Sequence, residues 1–255
     1  MRLKSILAAA LATALPALAH AQAPTTPTPA GAKNIVIVHD AFVDGSGWRV
    51  VHDILIHKGY SVTVVQETLT TLDEDVALTR EAIRGQDGPV VLVGHGYGGA
   101  VITMAGQRDK VKALVYVAAI EPNVGENWVQ LLDSAPKPSD DIQSSRDGHL
   151  SINPAKFGED YAGDLTTNRT DFMAASQPRI AYAAINGTDW WAAWHDRPSY
   201  GIVATDDHFL SPDLQRSMYQ RAGAKVTEIK ASHAVYISQP EAVAAVIEQA
   251  AIAAK

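Results

Sequence analysis

The chain contains no cysteine, which removes disulfides, thiolate metal sites and a thiol nucleophile together. A fold without cross-links must be held by its core, and 255 residues, 47% of them apolar, suffice for one sizeable domain. Excess positive charge is missing as well. Lys and Arg number 21 against 28 Asp and Glu, a formal balance of −7, so the surface repels phosphate backbones and anionic lipid, and neither nucleic acid nor membrane is expected as a partner. Long hydrophobic runs are confined to one place. After SILAAALATALPALA, at residues 5–19, no second segment approaches a bilayer span.

That one run has a specific context. Arg2 and Lys4 precede it, and it closes on Ala19-His20-Ala21, a small-x-small cleavage pattern, so residues 1–21 are expected to be a secretory signal and the mature chain periplasmic or secreted. Losing Arg2 and Lys4 takes the balance from −7 to −9. Residues 22–32, QAPTTPTPAGA, have no apolar periodicity and predict a disordered leader. The folded domain is expected over 33–255.

From Lys33 onward, β-branched runs alternate with amphipathic stretches: NIVIVH, a helix from Trp48 to His57, SVTVV, a helix from Asp73 to Arg84, PVVLVG, a helix from Gly99 to Gln107, and KALVYVA. Continuous apolar strands separated by helices predict a doubly wound, mainly parallel sheet of the α/β class, covered on both faces. From about 121 to 190 the alternation stops. Rich in Pro, Asp, Asn and Ser, that segment predicts a helical lid insertion without a core strand. Alternation resumes with SYGIVATD, a helix after Pro212, AKVTEIKA and a closing Ala-rich helix from Pro240.

The stretch VVLVGHGYGG holds one more absence. Gly94-His95-Gly96-Tyr97-Gly98 fits the strand-turn-helix elbow G-x-Nuc-x-G everywhere except at its centre, where Gly96 offers no nucleophile. Asp207 and His233 each follow a predicted strand, in the chain order nucleophile position, acid, base. His39-Asp40-Ala41-Phe42 follows the first strand, where a loop delivers the Ala41 amide to an oxyanion hole whose second donor is the Tyr97 amide.

Through VHDAFVDGSGW, DGPVVLVGHGYGGAVIT, KALVYVAA, VATDD and SHAVYISQP, residues 34 to about 251 resemble the α/β-hydrolase superfamily, in the esterase-like branch related to plant methylesterases and hydroxynitrile lyases. In that family the corresponding motifs read HGAF and GHSYGG. The resemblance implies an α/β-hydrolase fold, His233 as base, Asp207 rather than Asp206 as its orienter, and no cofactor. It also implies that the insertion covers a pocket, so Trp190, Trp191 and Trp194 are expected to line it for a small-molecule substrate or ligand.

Two positions depart from the family pattern: Gly96 stands for the serine and Asp40 for a glycine. Loss of a triad nucleophile alone costs on the order of 10⁶ in turnover. Three readings follow. His233 and Asp207 could act as a general-base pair on a small apolar ester or carbonyl compound, either activating a water in the volume the serine vacated or sharing duties with Asp40. The pocket could bind without turnover, or the chain could be a serine carboxylesterase inactivated at position 96. Asp40 could alternatively serve as a loop-stabilising carboxylate. His39 and His95 suit anchoring and packing. His52, His57, His149, His195 and His208 lack ligand spacing, so no metal is expected, and Ser46 suits a helix cap.

Overall fold

The computed structural model describes residues 28–137 and 139–254; the signal segment and residues 22–27 of the leader lie outside the described residues. Ala32, expected within the leader, is instead buried, and its amide donates to the Ala251 carbonyl at 2.9 Å. Packing against the closing helix thus reaches back further than composition suggested.

Strands β1 (Asn34–Val38), β2 (Ser61–Val65), β3 (Val90–His95) and β4 (Val111–Val117) alternate with helices α1 (Arg49–His57), α2 (Leu72–Arg84) and α3 (Gly98–Ala105). The insertion holds α4 (Trp128–Asp133), β5 (Ile142–Ser144), β6 (His149–Ile152), α5 (Phe157–Tyr161), α6 (Thr167–Ser176), β7 (Ile180–Ala181) and α7 (Tyr182–Ile185). The chain then returns through β8 (Ser199–Ala204), α8 (Pro212–Ala222), β9 (Lys225–Ile229), α9 (Val235–Ser238) and α10 (Pro240–Ala253).

The main sheet runs β2-β1-β3-β4-β8-β9 with every pair of neighbours parallel. Its strands alternate between two cores. Ile35, Ile37, Val91, Val93, Val115 and Val117 face the layer that contains α1 and α10. Val36, Val38, Leu92, Leu114 and Tyr116 face the layer that contains α2, α3 and α8. Burial on both faces is why these strands are continuous aliphatic runs instead of alternating ones. Because all six strands are parallel, their C-terminal ends share one edge, and the loops carrying Asp40, Gly96, Asp207 and His233 all leave from it.

The insertion is less purely helical than its composition predicts. β5, β6 and β7 form a small antiparallel sheet. Strands of two to four residues are too short for a period to register, although Asp147-Gly148, with Gly148 at φ 78°, carries the dipeptide signal of a hairpin turn.

Candidate functional site

The elbow at the end of β3 survives in backbone form. Gly96 has φ +53°, the left-handed conformation that a nucleophile elbow forces on its central residue and that glycine adopts without strain. Gly98 sits where an added Cβ would lie 2.7 Å from the carbonyl oxygens of Val38 and His39, so only a residue without a side chain lets α3 start this close to β1.

What stands over Gly96 is Asp40. A Cβ built on Gly96 would lie 2.0 Å from Asp40 Oδ1 and 2.2 Å from its Cγ, so the volume in which a serine side chain would project is occupied by a carboxylate. This corrects the expectation of a water there. Asp40 Oδ1 accepts from the Tyr97 amide at 2.6 Å, and Oδ2 accepts from the Tyr161 hydroxyl at 2.9 Å. The Tyr97 amide, expected to serve a substrate oxyanion, is therefore already engaged by Asp40. Ala41 is fully buried beside it. His39 holds the loop: its Nδ1 donates to the Asp40 carbonyl at 2.8 Å and its Nε2 accepts from the Glu67 amide at 3.1 Å.

His233, from the loop after β9, donates from Nδ1 to Asp207 Oδ2 at 2.7 Å, and its Nε2 stands 3.7 Å from Asp40 Oδ2. The imidazole thus lies between two carboxylates. Asp207 is itself held: Oδ1 accepts the amides of Phe209 and Leu210, and Oδ2 accepts the Gln215 side-chain amide, each at 2.8 Å. Gln215 is bonded in turn to the Ala204 amide and the Leu210 carbonyl. His95 Nε2 donates to the His233 carbonyl at 2.9 Å, fixing the backbone at His233.

These contacts set the charges. Burial by itself would favour neutral His233, but Asp207 and then Asp40 outweigh it and push its pKa up to about 9. Burial would likewise raise Asp40, yet the facing His233 imidazole, with His95 and the Tyr97 amide, holds it well below the usual carboxylate range. His95 goes the other way, down to about 3, chiefly through burial and then through the positive charge of His233. Near neutral pH the site holds an Asp40 carboxylate facing a His233 imidazolium. Asp40, His95 and His233 each offer a ligand atom within 4.8 Å of the others, a spacing that the Asp40–His233 ion pair already accounts for.

The site is closed. Asp40, His233 and Tyr161 are fully buried, and the ring of Tyr161, at the end of α5, meets His233 edge-on at 4.7 Å between centroids. Phe209 lies 5.0 Å from His233 and 5.6 Å from Phe42. Two further bonds tie this part of the insertion to the base loop, Ala234 N–H to the Tyr161 carbonyl at 3.1 Å and the Ser232 hydroxyl to Asp164 at 2.5 Å. Outside the wall, a cavity of about 480 Å³ is lined by Phe42, Tyr236, Ile237, Arg169 and Met173 among others.

The tryptophans are placed elsewhere. Trp190 and Trp191 are 69% and 43% exposed, and the Trp190 amide meets the Met104 sulfur near the far end of α3. Trp194 is buried with its indole N–H on the Pro122 carbonyl at 2.7 Å. None lines the cavity beside the site: the insertion covers the elbow with α5 and α6, while its C-terminal portion packs beside the end of α3. The contacts that sequence reasoning missed are Tyr161 and Gln215. No local pattern signals Tyr161, whereas Gln215, one turn into the helix that follows Asp207, lies where a residue reaching back to that carboxylate would be sought.

Comparison with known proteins agrees with this fold. The profile of the alpha/beta hydrolase family matches residues 35–246. A pyrethroid hydrolase of Sphingobium wenxiniae is 26% identical over 252 residues, covering 84% of this chain and 86% of that protein. Among solved structures, polyneuridine aldehyde esterase superposes with TM-score 0.76 at 18% identity, covering 86% of this chain and 98% of that one. Tomato methylketone synthase I, complexed with 2-tridecanone, superposes with TM-score 0.75 at 16% identity, covering 88% and 99%.

Proposed function

The chain belongs to the alpha/beta hydrolase family, and on that premise we propose that it is an exported hydrolase of small, largely apolar molecules that works without an elbow serine. The observation that carries this reading is the Asp40 carboxylate in the serine's place. It receives the amide that follows the elbow and faces the imidazole of the base. Three parts of a hydrolytic site are then present in altered form: a reactive oxygen on Asp40, a proton carrier in His233, and Asp207 holding that imidazole in one orientation. The aromatic wall of Phe42, Tyr161 and Phe209 suits an apolar substrate, and a relative is named for hydrolysis of pyrethroids. No cofactor or metal enters the scheme.

The test is turnover of a panel of short apolar esters and alkyl halides by the mature chain, compared with His233→Ala and, as a surface control, His52→Ala. His233→Ala should lose about 10²- to 10⁴-fold; equal rates in all three proteins would overturn the reading. A second reading, a binding protein without turnover, is favoured by the complete burial of Asp40 and His233. It expects stoichiometric binding of apolar molecules and no product from any of them.

A further inference from the structure

The cavity of about 480 Å³ outside the wall lies between the β1–α1 loop, α6 and α9, and its volume falls in the range of small-molecule sites. Phe42, Phe172, Met173 and Ile237 give it apolar surface. Phe172 is 71% exposed, an aromatic side chain that an occupant would cover. Two strong donors of the lining lack a protein acceptor. Tyr236 is fully buried, yet its hydroxyl has no hydrogen-bond partner among the described residues, a costly state unless a ligand pairs it. That hydroxyl sits against the β1–α1 loop, 3.0 Å from where a Cβ on Gly47 would stand. Arg169, in the first turn of α6, pairs with no carboxylate among the described residues, unlike Arg179 with Asp147 or Arg216 with Glu228. Thr166, the N-cap of α6, makes no side-chain bond to the first-turn amides, so the positive end of the helix adds to the guanidinium. Burial, and then the charges of Asp40 and Asp44, keep the Tyr236 hydroxyl protonated well above neutral pH, while Arg169 pulls the other way. The guanidinium is thus near enough to act on the hydroxyl.

We propose that this cavity binds a small monocarboxylate with an apolar body, its carboxylate on the Arg169 guanidinium and the Tyr236 hydroxyl and its hydrocarbon part against Phe42, Met173 and Ile237. The ligand carries one negative charge and not two. Asp44 lines the same cavity, with one carboxylate oxygen engaged by the Ser46 amide and hydroxyl, so a second anionic group on the ligand would meet like charge. Arg169 also borders a second cavity, of about 540 Å³, which Asp164, Asp206 and Lys230 line. Two carboxylates and no aromatic side chain make that neighbour unsuited to a hydrocarbon, and the body of the acid belongs in the first. The site needs neither Asp40 nor turnover, and it therefore stands apart from the hydrolase reading.

The probe is 4-phenylbutyrate, titrated calorimetrically into the natural chain, Arg169→Gln and Tyr236→Phe, with 4-phenylbutan-1-ol and adipate as comparison ligands. The expected result is saturable binding of the acid by the natural chain, weakened about 10- to 100-fold in Arg169→Gln, the range for a hydrogen bond to a charged group. Tyr236→Phe should weaken it less. The alcohol should bind more weakly than the acid, and equally to the natural chain and Arg169→Gln. Arg169 is exposed, and Tyr236→Phe removes a hydroxyl that bonds nothing in the protein, so neither variant endangers the fold. Hydrogen exchange of the natural chain with the acid bound should slow at amides of residues 166–177 and 235–239. Equal affinity of the acid for the natural chain and Arg169→Gln, exchange slowed only in other segments, or no saturable binding at all would overturn the site. Adipate binding as tightly as the acid would overturn the single-charge class.

Discussion

The Asp40 carboxylate and a side chain at Gly96 exclude each other: an added Cβ at residue 96 would stand 2.0 Å from Asp40 Oδ1. Positions 40 and 96 are therefore sterically coupled: the carboxylate from the neighbouring loop fills the space that a side chain at residue 96 would need.

Restoring the serine alone should consequently fail. Gly96→Ser adds a side chain at φ +53°, a strain of about 1–3 kcal/mol, on top of its overlap with Asp40. Asp40→Gly together with Gly96→Ser removes the overlap. Urea unfolding of the four proteins of this cycle should give a favourable coupling of about 0.5–3 kcal/mol, and esterase activity should appear only in the double variant. Additive effects, or full esterase activity from Gly96→Ser alone, would count against that coupling.

Tyr161 closes the site and bonds Asp40. Tyr161→Phe should lose about 1.5–3 kcal/mol, the range for a hydrogen bond to a charged group, while keeping the ring contact with His233. Tyr161→Ala should cost about 3–5 kcal/mol and shorten the lag for entry of apolar substrates. Denaturant midpoints and pre-steady-state kinetics read the two effects separately.

His233 should titrate near 9 in the natural chain, observable as the pH dependence of its imidazole resonances. Asp40→Asn removes one of the two carboxylates that favour the imidazolium, so the value should fall. Because the folded value is raised from 6.5 to about 9, this group's contribution to stability is complete below pH 6.5 and is lost as pH rises through about 9. Melting temperatures across that window should therefore decline, less steeply in Asp40→Asn.

Glu121 offers a second pH test that does not involve His233 or Asp40. Burial raises its carboxyl from 4.5 to about 8, against the opposing pull of Ser199 and Arg221. The unfolded chain then loses its proton first as pH rises, and stability should fall by up to about 1.4 kcal/mol per pH unit between those two values. Glu121→Gln should flatten the slope in that interval; an unchanged slope would show that Glu121 is ionised when folded.

Export is testable at the first residue. Expression in a bacterium with a secretory pathway should yield a mature chain beginning at Gln22 in the periplasm or medium, read by intact mass. A cytoplasmic product retaining Arg2 and Lys4 would refute the signal.

How much of this was visible in the residues themselves depends on the range of the interaction. Aliphatic runs such as VVLVG and KALVYVA declare buried parallel strands, because a strand covered on both faces has no polar positions to alternate with. The positions of Gly96, Asp207 and His233 are legible for a related reason: each lies just past a strand end, and a parallel sheet brings all its strand ends to one edge. The insertion lacks such a device. Its strands of two to four residues fall below any period, and the exposure of Trp190 depends on how the whole segment drapes over the sheet.

The order of residues thus settled the fold class and the edge on which chemistry could occur, since periodicity and chain order are local properties of a polymer. Position 40 lacked glycine and position 96 lacked serine, and both facts were plain from the start. That the two positions compete for one volume is a matter of two distant loops meeting at van der Waals distance. Shared volume, a borrowed amide and a doubly flanked imidazole arise only when the folded sheet brings those loops together.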